Sequence, residues 1–289
     1  MSEQKKVLGV YGAAGSHWVG DGFPVRTLLP SHGVRDLSPF LMLDYAGPRR
    51  FEPSNRPRGV EEHPHRGFET VTIAYQGSVD HRDSGGNSGT INPGDVQWMT
   101  AASGVVHEEM HGREFTSKGG TFEMVQLWVN LPAKYKMSKP RYQGLLSAQI
   151  PQVDLGSAAF ARVIAGELMG VKGPATTSSP VHVFDVRLEA GGRGEFTLPP
   201  GQNSALVLLR GDVLVNGTTA LKGEAQVARL SESGESVLLE AKAESLILVL
   251  SGEPINEPVA SYGPFVMNTE AELRQAFEDY RAGRMGRLQ

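Results

Sequence analysis

The sequence predicts an all-β protein of two barrels with one short C-terminal helix. Three observations carry that prediction. Thirty-five glycines and 18 prolines are spread along the whole 289-residue chain instead of pooled in one tail, which means frequent tight turns between short elements. Both halves alternate β-prone runs with turn clusters in the same rhythm. Helical spacing with start and stop signals is clear only near the C-terminus.

In chain order, Phe68 to Val106 reads FETVTIAYQ, GSVDHRDSGGNSG, TINPGD, VQWMTAASG, and VVHEEM follows. Val71, Ile73 and Tyr75 stand two apart, as a half-buried strand requires. TFEMVQLWVNLP is another β-prone run, closed by Pro132 and followed by the basic stretch AKYKMSKPRYQ. The domain boundary is expected there, with residues 1–137 as an N-terminal barrel and 138–289 as a C-terminal barrel plus closing segment and helix. Lys134, Lys136, Lys139 and Arg141 read as a solvated linker, with an acidic partner surface as the lesser option.

The second half repeats the rhythm in ARVIAGELMG, VHVFDVRLEAGGRGEFTLPPG, SALVLLRGDVLVNG and ESLILVLSGEP. GSVDH and GDVLVNG occupy comparable places in the two halves, which suggests an internal duplication. TEAELRQAFEDYRAG opens with Thr269 and Glu272 in capping-box spacing, carries Leu273, Phe277 and Tyr280 at helical spacing, and stops at Gly283. This helix is expected on the outside of a barrel.

Hydrophobic residues at 39%, charged residues at 21% and a net charge of -4 are an ordinary globular balance without the footprint of nucleic-acid binding. Any gene-regulatory role would therefore pass through a protein partner. The absence of cysteine excludes disulfides, thiolate ligands and cysteine nucleophiles. No apolar run reaches the length of about 18 residues that crosses a bilayer, so a cytoplasmic, non-membrane protein is expected. A monomer is the default, because two stacked barrels already cover each other.

Seven of the eight histidines precede residue 112, and four of them fall in two short clusters with carboxylates. In EEHPHRGFE, His63 and His65 stand two apart, which on a strand sends both rings to one face about 7 Å apart. In GVVHEEMH, His107 and Glu109 share a face and Glu108 points outward. If the two strands are neighbours, three nitrogens and one carboxylate oxygen converge. Such a set leaves positions open on a six-coordinate metal, as a redox or Lewis-acid site needs. Iron(II) is the first choice; nickel, manganese, cobalt, copper and zinc suit the same ligands. A lone His-x-His pair in a β-rich region is more often structural, but two such pairs, each beside a glycine turn, point to a site.

HPHRGFETVTIAYQG, with His63, His65 and Glu69, resembles the first cupin motif, and PGDVQWMTAASGVVHEEM resembles the second. With the Asp80-His81 turn and the closing GPFVMNTEAELRQAFEDYRAGRMG, the resemblance is to the pirin family and covers most of the chain. It implies a bicupin, two stacked double-stranded β-helix barrels, with one divalent metal in the N-terminal barrel held by His63, His65, His107 and Glu109. The general cupin pattern offers Glu69 as the carboxylate instead; Glu109 ranks first, with Glu69 supporting the site from behind.

The resemblance further implies quercetin 2,3-dioxygenase activity, in which dioxygen opens a flavonol with loss of carbon monoxide. Glu109, or another carboxylate beside the metal, would be the catalytic base that takes the proton of the flavonol or a similar enolic aromatic. A second implied role is regulatory, with the metal as a redox sensor and transcription factors or metabolic enzymes as partners. A third is a purely structural metal.

His81 and His111 could line the pocket or orient a ligand but are more often loop or surface histidines. Trp98, Met99 and Phe68 read as core, with pocket lining second. His17 and His32 carry no functional claim. His182 is alone in the second half, so the C-terminal barrel is expected to hold no metal.

Overall fold

The structure, a computed structural model, describes residues 3–13, 15–30 and 37–288, and it is mostly β with three α-helices and one 3-10 turn among those residues. Two compact units form, and they do not follow chain order. One comprises Met1–Gly15, Thr27–Pro39 and Ala148–Pro254, and the other Ser16–Arg26, Phe40–Ser147 and Ile255–Gln289. This differs from the expected division at residue 137. The reason is non-local pairing: strand Val7–Gly12 hydrogen-bonds to Thr219–Leu230, while the closing segment packs on Val106.

The unit containing Ala148–Pro254 is built on a six-stranded sheet in the order Val7–Gly12, Thr219–Leu230, Asn203–Val215, Ser236–Gly252, Val181–Thr197, Gln152–Ala165, with a separate two-stranded pair, Glu167–Leu168 and Val171–Lys172. Its interior is apolar, with Phe184, Leu206, Leu208, Ile247 and Val249 all buried in one cluster. His182 is half-buried, and its Nδ1 accepts from the Glu167 backbone N–H at 3.3 Å.

The second unit has two main sheets besides the two-stranded pair Ala260–Tyr262 with Phe265–Met267. The larger runs Arg141–Leu145, Val96–Thr100, Phe68–Gln76, Gly120–Asn130, Phe40–Phe51, Phe23–Leu29, His17–Val19; the smaller runs Gly59–His65, Val105–His111, Val79–Asp83, Ser88–Ile91. Residues from both share a core that includes Phe23, Ala74, Val79, Ile91 and Phe122, so the sheets face each other. The strand Phe68–Gln76 is buried along nearly its whole length and not on alternate residues, because both of its faces are covered.

The closing segment and the helix Glu270–Arg281 belong to this second unit, not to the C-terminal barrel. The expected capping box is present: Thr269 Oγ1 accepts from the Glu272 N–H at 3.2 Å, and a Glu272 carboxylate oxygen accepts from the Thr269 N–H at 2.9 Å. Leu273, Ala276 and Phe277 pack with Phe265, Met267 and Val106, whereas Tyr280, expected on the same face, is exposed. Gly67 is required where this segment crosses the barrel. At φ 89° its ideal Cβ would lie 1.9 Å from the Val266 carbonyl oxygen.

Lys136 is buried, contrary to its reading as part of a solvated linker. Its Nζ donates to Gly67 O and Asn130 Oδ1 at 2.7 Å and to Val266 O at 2.9 Å, so three ammonium hydrogens meet three acceptors. No helix among the described residues is long and apolar enough to cross a membrane.

Candidate metal centre

The smaller sheet brings the two histidine clusters together. Gly59–His65 and Val105–His111 are antiparallel neighbours with His63 opposite His107, and a register shift beyond that pair puts Val60 opposite Glu109. On the other side, Val79–Asp83 sets Asp83 opposite His107 and His81 opposite Glu109. Ring centroids lie 4.8 Å apart for His63 and His65, 4.3 Å for His63 and His107, and 4.9 Å for His65 and His107. Each of the three offers a ligand nitrogen, all within 4.8 Å of one another.

The tautomers follow from the neighbours. A carbonyl oxygen only accepts, so His63 Nδ1–H donates to Glu61 O at 2.8 Å and His65 Nδ1–H donates to Pro264 O at 3.4 Å. Both rings therefore keep their lone pair on Nε2. His107 Nε2 is buried and has no hydrogen-bond partner. Burial, followed by the charge of His63, lowers the His65 pKa to about 3, although the Pro264 carbonyl opposes this. Burial and then the charges of His65, His63 and His81 hold His107 well below the usual imidazole range. Neutral rings with converging lone pairs and one orphaned buried nitrogen fit a bound transition-metal cation.

Glu109 is buried on the same strand as His107, but its carboxylate lies outside this group. It accepts from Thr72 Oγ1 at 3.0 Å and from Gln126 Nε2 at 3.3 Å. Those donors come from the facing sheet, where Thr72 and Gln126 are cross-strand partners. Glu69 is also buried and accepts from Thr100 Oγ1 at 2.8 Å. The structure thus gathers the three imidazoles and leaves both carboxylates on other donors. Glu108 points away from the cluster and pairs with Arg82, as strand parity requires.

His65 packs against Phe68 at 5.1 Å and Trp128 at 5.3 Å, which form an aromatic wall. Phe68 therefore serves both core and site, while Trp98 and Met99 are buried core. The sequence reading missed Trp128, Thr72 and Gln126. The available signal was a polar side chain inside a strongly β-prone run, since such a residue needs a buried partner. His111 is structural: it packs among Phe23, Phe51 and Phe122, and its Nε2–H donates to Gly22 O at 2.9 Å. His17 is exposed, and His32 lies outside the described residues. A groove of about 1250 Å³ is lined by Asp80, His81, Arg82, Glu108 and Arg113 and by none of the three clustered imidazoles. His63, half-buried among the three imidazoles, is where solvent meets the cluster.

A two-unit β fold of this kind, with a histidine cluster in one unit, is a bicupin. The chain belongs to the pirin family: the model described as Pirin matches residues 22–129, and that of the Pirin C-terminal cupin domain matches residues 183–286. A Pseudomonas aeruginosa protein named "Putative quercetin 2,3-dioxygenase" is 56% identical over 97% of this chain and 98% of its own length. Human pirin is 38% identical, covering 92% of this chain and 89% of its own. The crystal structure of a quercetin 2,3-dioxygenase from Acinetobacter baumannii superposes with a TM-score of 0.95 at 50% identity, covering 99% of this chain and all of that one.

Proposed function

We propose that this protein is a metal-dependent dioxygenase able to open quercetin-like flavonols with dioxygen. The observation that carries the reading is the convergence of three imidazoles whose nitrogens lie within 4.8 Å of one another, with His107 Nε2 buried and unpartnered. The names carried by the Pseudomonas and Acinetobacter relatives support the substrate class.

His63, His65 and His107 would hold the metal through Nε2, with Glu109 as the fourth ligand and iron(II) as the first candidate. When bound, the metal supplies Lewis-acid polarisation of the enolic oxygens and redox access to dioxygen. Phe68 and Trp128 present an aromatic wall beside His65 and limit water. Glu109 would accept the flavonol hydroxyl proton on a carboxylate oxygen, since Oε1 and Oε2 each keep a lone pair beyond the bond from Thr72 or Gln126. The burial that keeps His65 and His107 neutral leaves their lone pairs available across the physiological pH range.

The test is metal content by mass spectrometry and oxygen uptake with quercetin after iron(II) reconstitution, set beside His63→Ala, His65→Ala protein. Close to one metal per chain and turnover, both lost in the double variant, is the expected result. Equal oxygen uptake by the two proteins would overturn the reading.

A further inference from the structure

His81 and Asp83, both outside the ligand set, stand in line behind His107. Asp83 Oδ2 lies 3.3 Å from His81 Nε2, and His81 Nδ1 lies 3.4 Å from His107 Nδ1 and 3.3 Å from Gln97 Nε2. All four side chains are buried. The sheet register produces the line, because Asp83 is opposite His107 and His81 is two residues back along the neighbouring strand.

The direction of each hydrogen bond follows from what the atoms can do. The Asp83 carboxylate only accepts, so His81 Nε2 carries the hydrogen and, in the neutral ring, Nδ1 is the acceptor. Gln97 Nε2–H donates to that lone pair, and His107 Nδ1 can join it only by donating. One lone pair shared by two donors accounts for both contacts lying at the long end of the range. The His107 hydrogen is then on Nδ1 and its lone pair on Nε2, the atom without a hydrogen-bond partner.

The far end of the line is anchored. Asp83 Oδ1 accepts from the Gly85 and Asn87 backbone N–H groups and from Asn87 Nδ2, which also reaches Oδ2 at 2.9 Å. The plane of His81 is set by Tyr142, whose ring stacks on it at 5.1 Å and 22°.

We propose that His81, itself held in its Nε2–H tautomer by Asp83, is a positioning residue that holds His107 in its Nδ1–H tautomer and presents Nε2 to a divalent transition metal. The inference rests on the metal-binding reading above. Partners behind a ligating histidine fix its tautomer and raise its basicity, and their loss costs about 10- to 100-fold in metal affinity.

The experiment is a cobalt(II) titration against a competing chelator, followed by visible absorption, on wild type, His81→Leu and His81→Asn. It is paired with ¹⁵N NMR of the histidines in the metal-free wild type. Asparagine places Oδ1 where the imidazole Nδ1 stood, so it keeps the acceptor that leucine removes. His81→Leu is expected to weaken cobalt(II) binding by about 10-fold or more and to alter the absorption bands, while His81→Asn stays within about threefold of wild type. NMR is expected to find the hydrogens of His107 on Nδ1 and of His81 on Nε2. Wild-type affinity and spectrum in His81→Leu would overturn the proposal, as would an equal loss in His81→Asn. A His107 hydrogen on Nε2 overturns it whether or not metal binds. A wild type that takes up no cobalt(II) overturns the metal reading and, with it, this inference; the NMR result tells the two failures apart.

Discussion

The Arg66 guanidinium lies 2.7 Å from the Asp279 carboxylate with both side chains buried, so the residue that follows His65 is tied directly to the C-terminal helix. Asp279 also accepts from Gln275 at 2.8 Å and from Arg284 Nε at 2.6 Å. Removing the carboxylate leaves a buried guanidinium uncompensated. Asp279→Ala should therefore lose about 3 kcal/mol in urea unfolding, and a loss below about 0.5 kcal/mol would show that the pair contributes little.

The same pair has a pH signature. Burial alone would raise the Asp279 pKa, but hydrogen bonds from Gln275, Arg66 and Arg284 together with the Arg66 charge bring it to about 2 from an ordinary 3.8. With the folded value depressed, the stabilisation is fully present above the ordinary value and is lost as pH falls through about 2. The stability gap between wild type and Asp279→Asn should narrow across that interval. A gap constant down to pH 2 would refute the assignment.

His65 has the same sign in a different window. Its folded pKa of about 3 lies below the ordinary 6.5, so between these values the unfolded chain binds more protons. Metal-free protein should lose stability as pH falls below about 6.5, with a slope of up to about 1.4 kcal/mol per pH unit for each histidine held neutral. His65→Asn should flatten the slope between pH 7 and pH 5. An unchanged slope would show that His65 is not protonated on unfolding in that range.

Glu109 and Glu69 are both buried, and each accepts from a threonine hydroxyl. If Glu109 is the fourth ligand and the base, Glu109→Gln should lower kcat by about 100-fold or more and weaken metal retention. Glu69→Gln should retain metal. The reverse pattern in metal content would assign the carboxylate to Glu69.

Lys136 joins Gly67, Asn130 and Val266 through one ammonium. Lys136→Met keeps the length of the side chain but leaves three acceptors without their donor, and should cost about 1–3 kcal/mol in chemical denaturation. A variant as stable as wild type would mean that water replaces the ammonium at no cost.

The pairing of histidines behind the cluster was legible in the sequence. His63 and His65, like His107 and Glu109, stand two apart in β-prone runs, and the alternation of a strand puts each pair on one face. Local spacing could not say that His63 would stand opposite His107 or that Asp83 would lie behind it, since register is decided between strands. It also could not separate Glu109 from Glu69, because both have permitted parity. Lys136 and His111 were misjudged for a related reason: their burial is imposed by Val266 and by Phe23 and Phe51, residues distant in the chain.

By itself, then, the sequence determined the β class, the capping box of the last helix and the imidazoles that form the cluster, all of which depend on neighbours within a few residues. Tertiary structure decided the rest. The N-terminal strand pairs with Thr219–Leu230, the closing segment packs on the histidine-bearing unit, and the Glu109 carboxylate faces Thr72 and Gln126. These outcomes depend on which distant strands share hydrogen bonds and which buried polar groups find partners, and both are settled only when the sheets assemble.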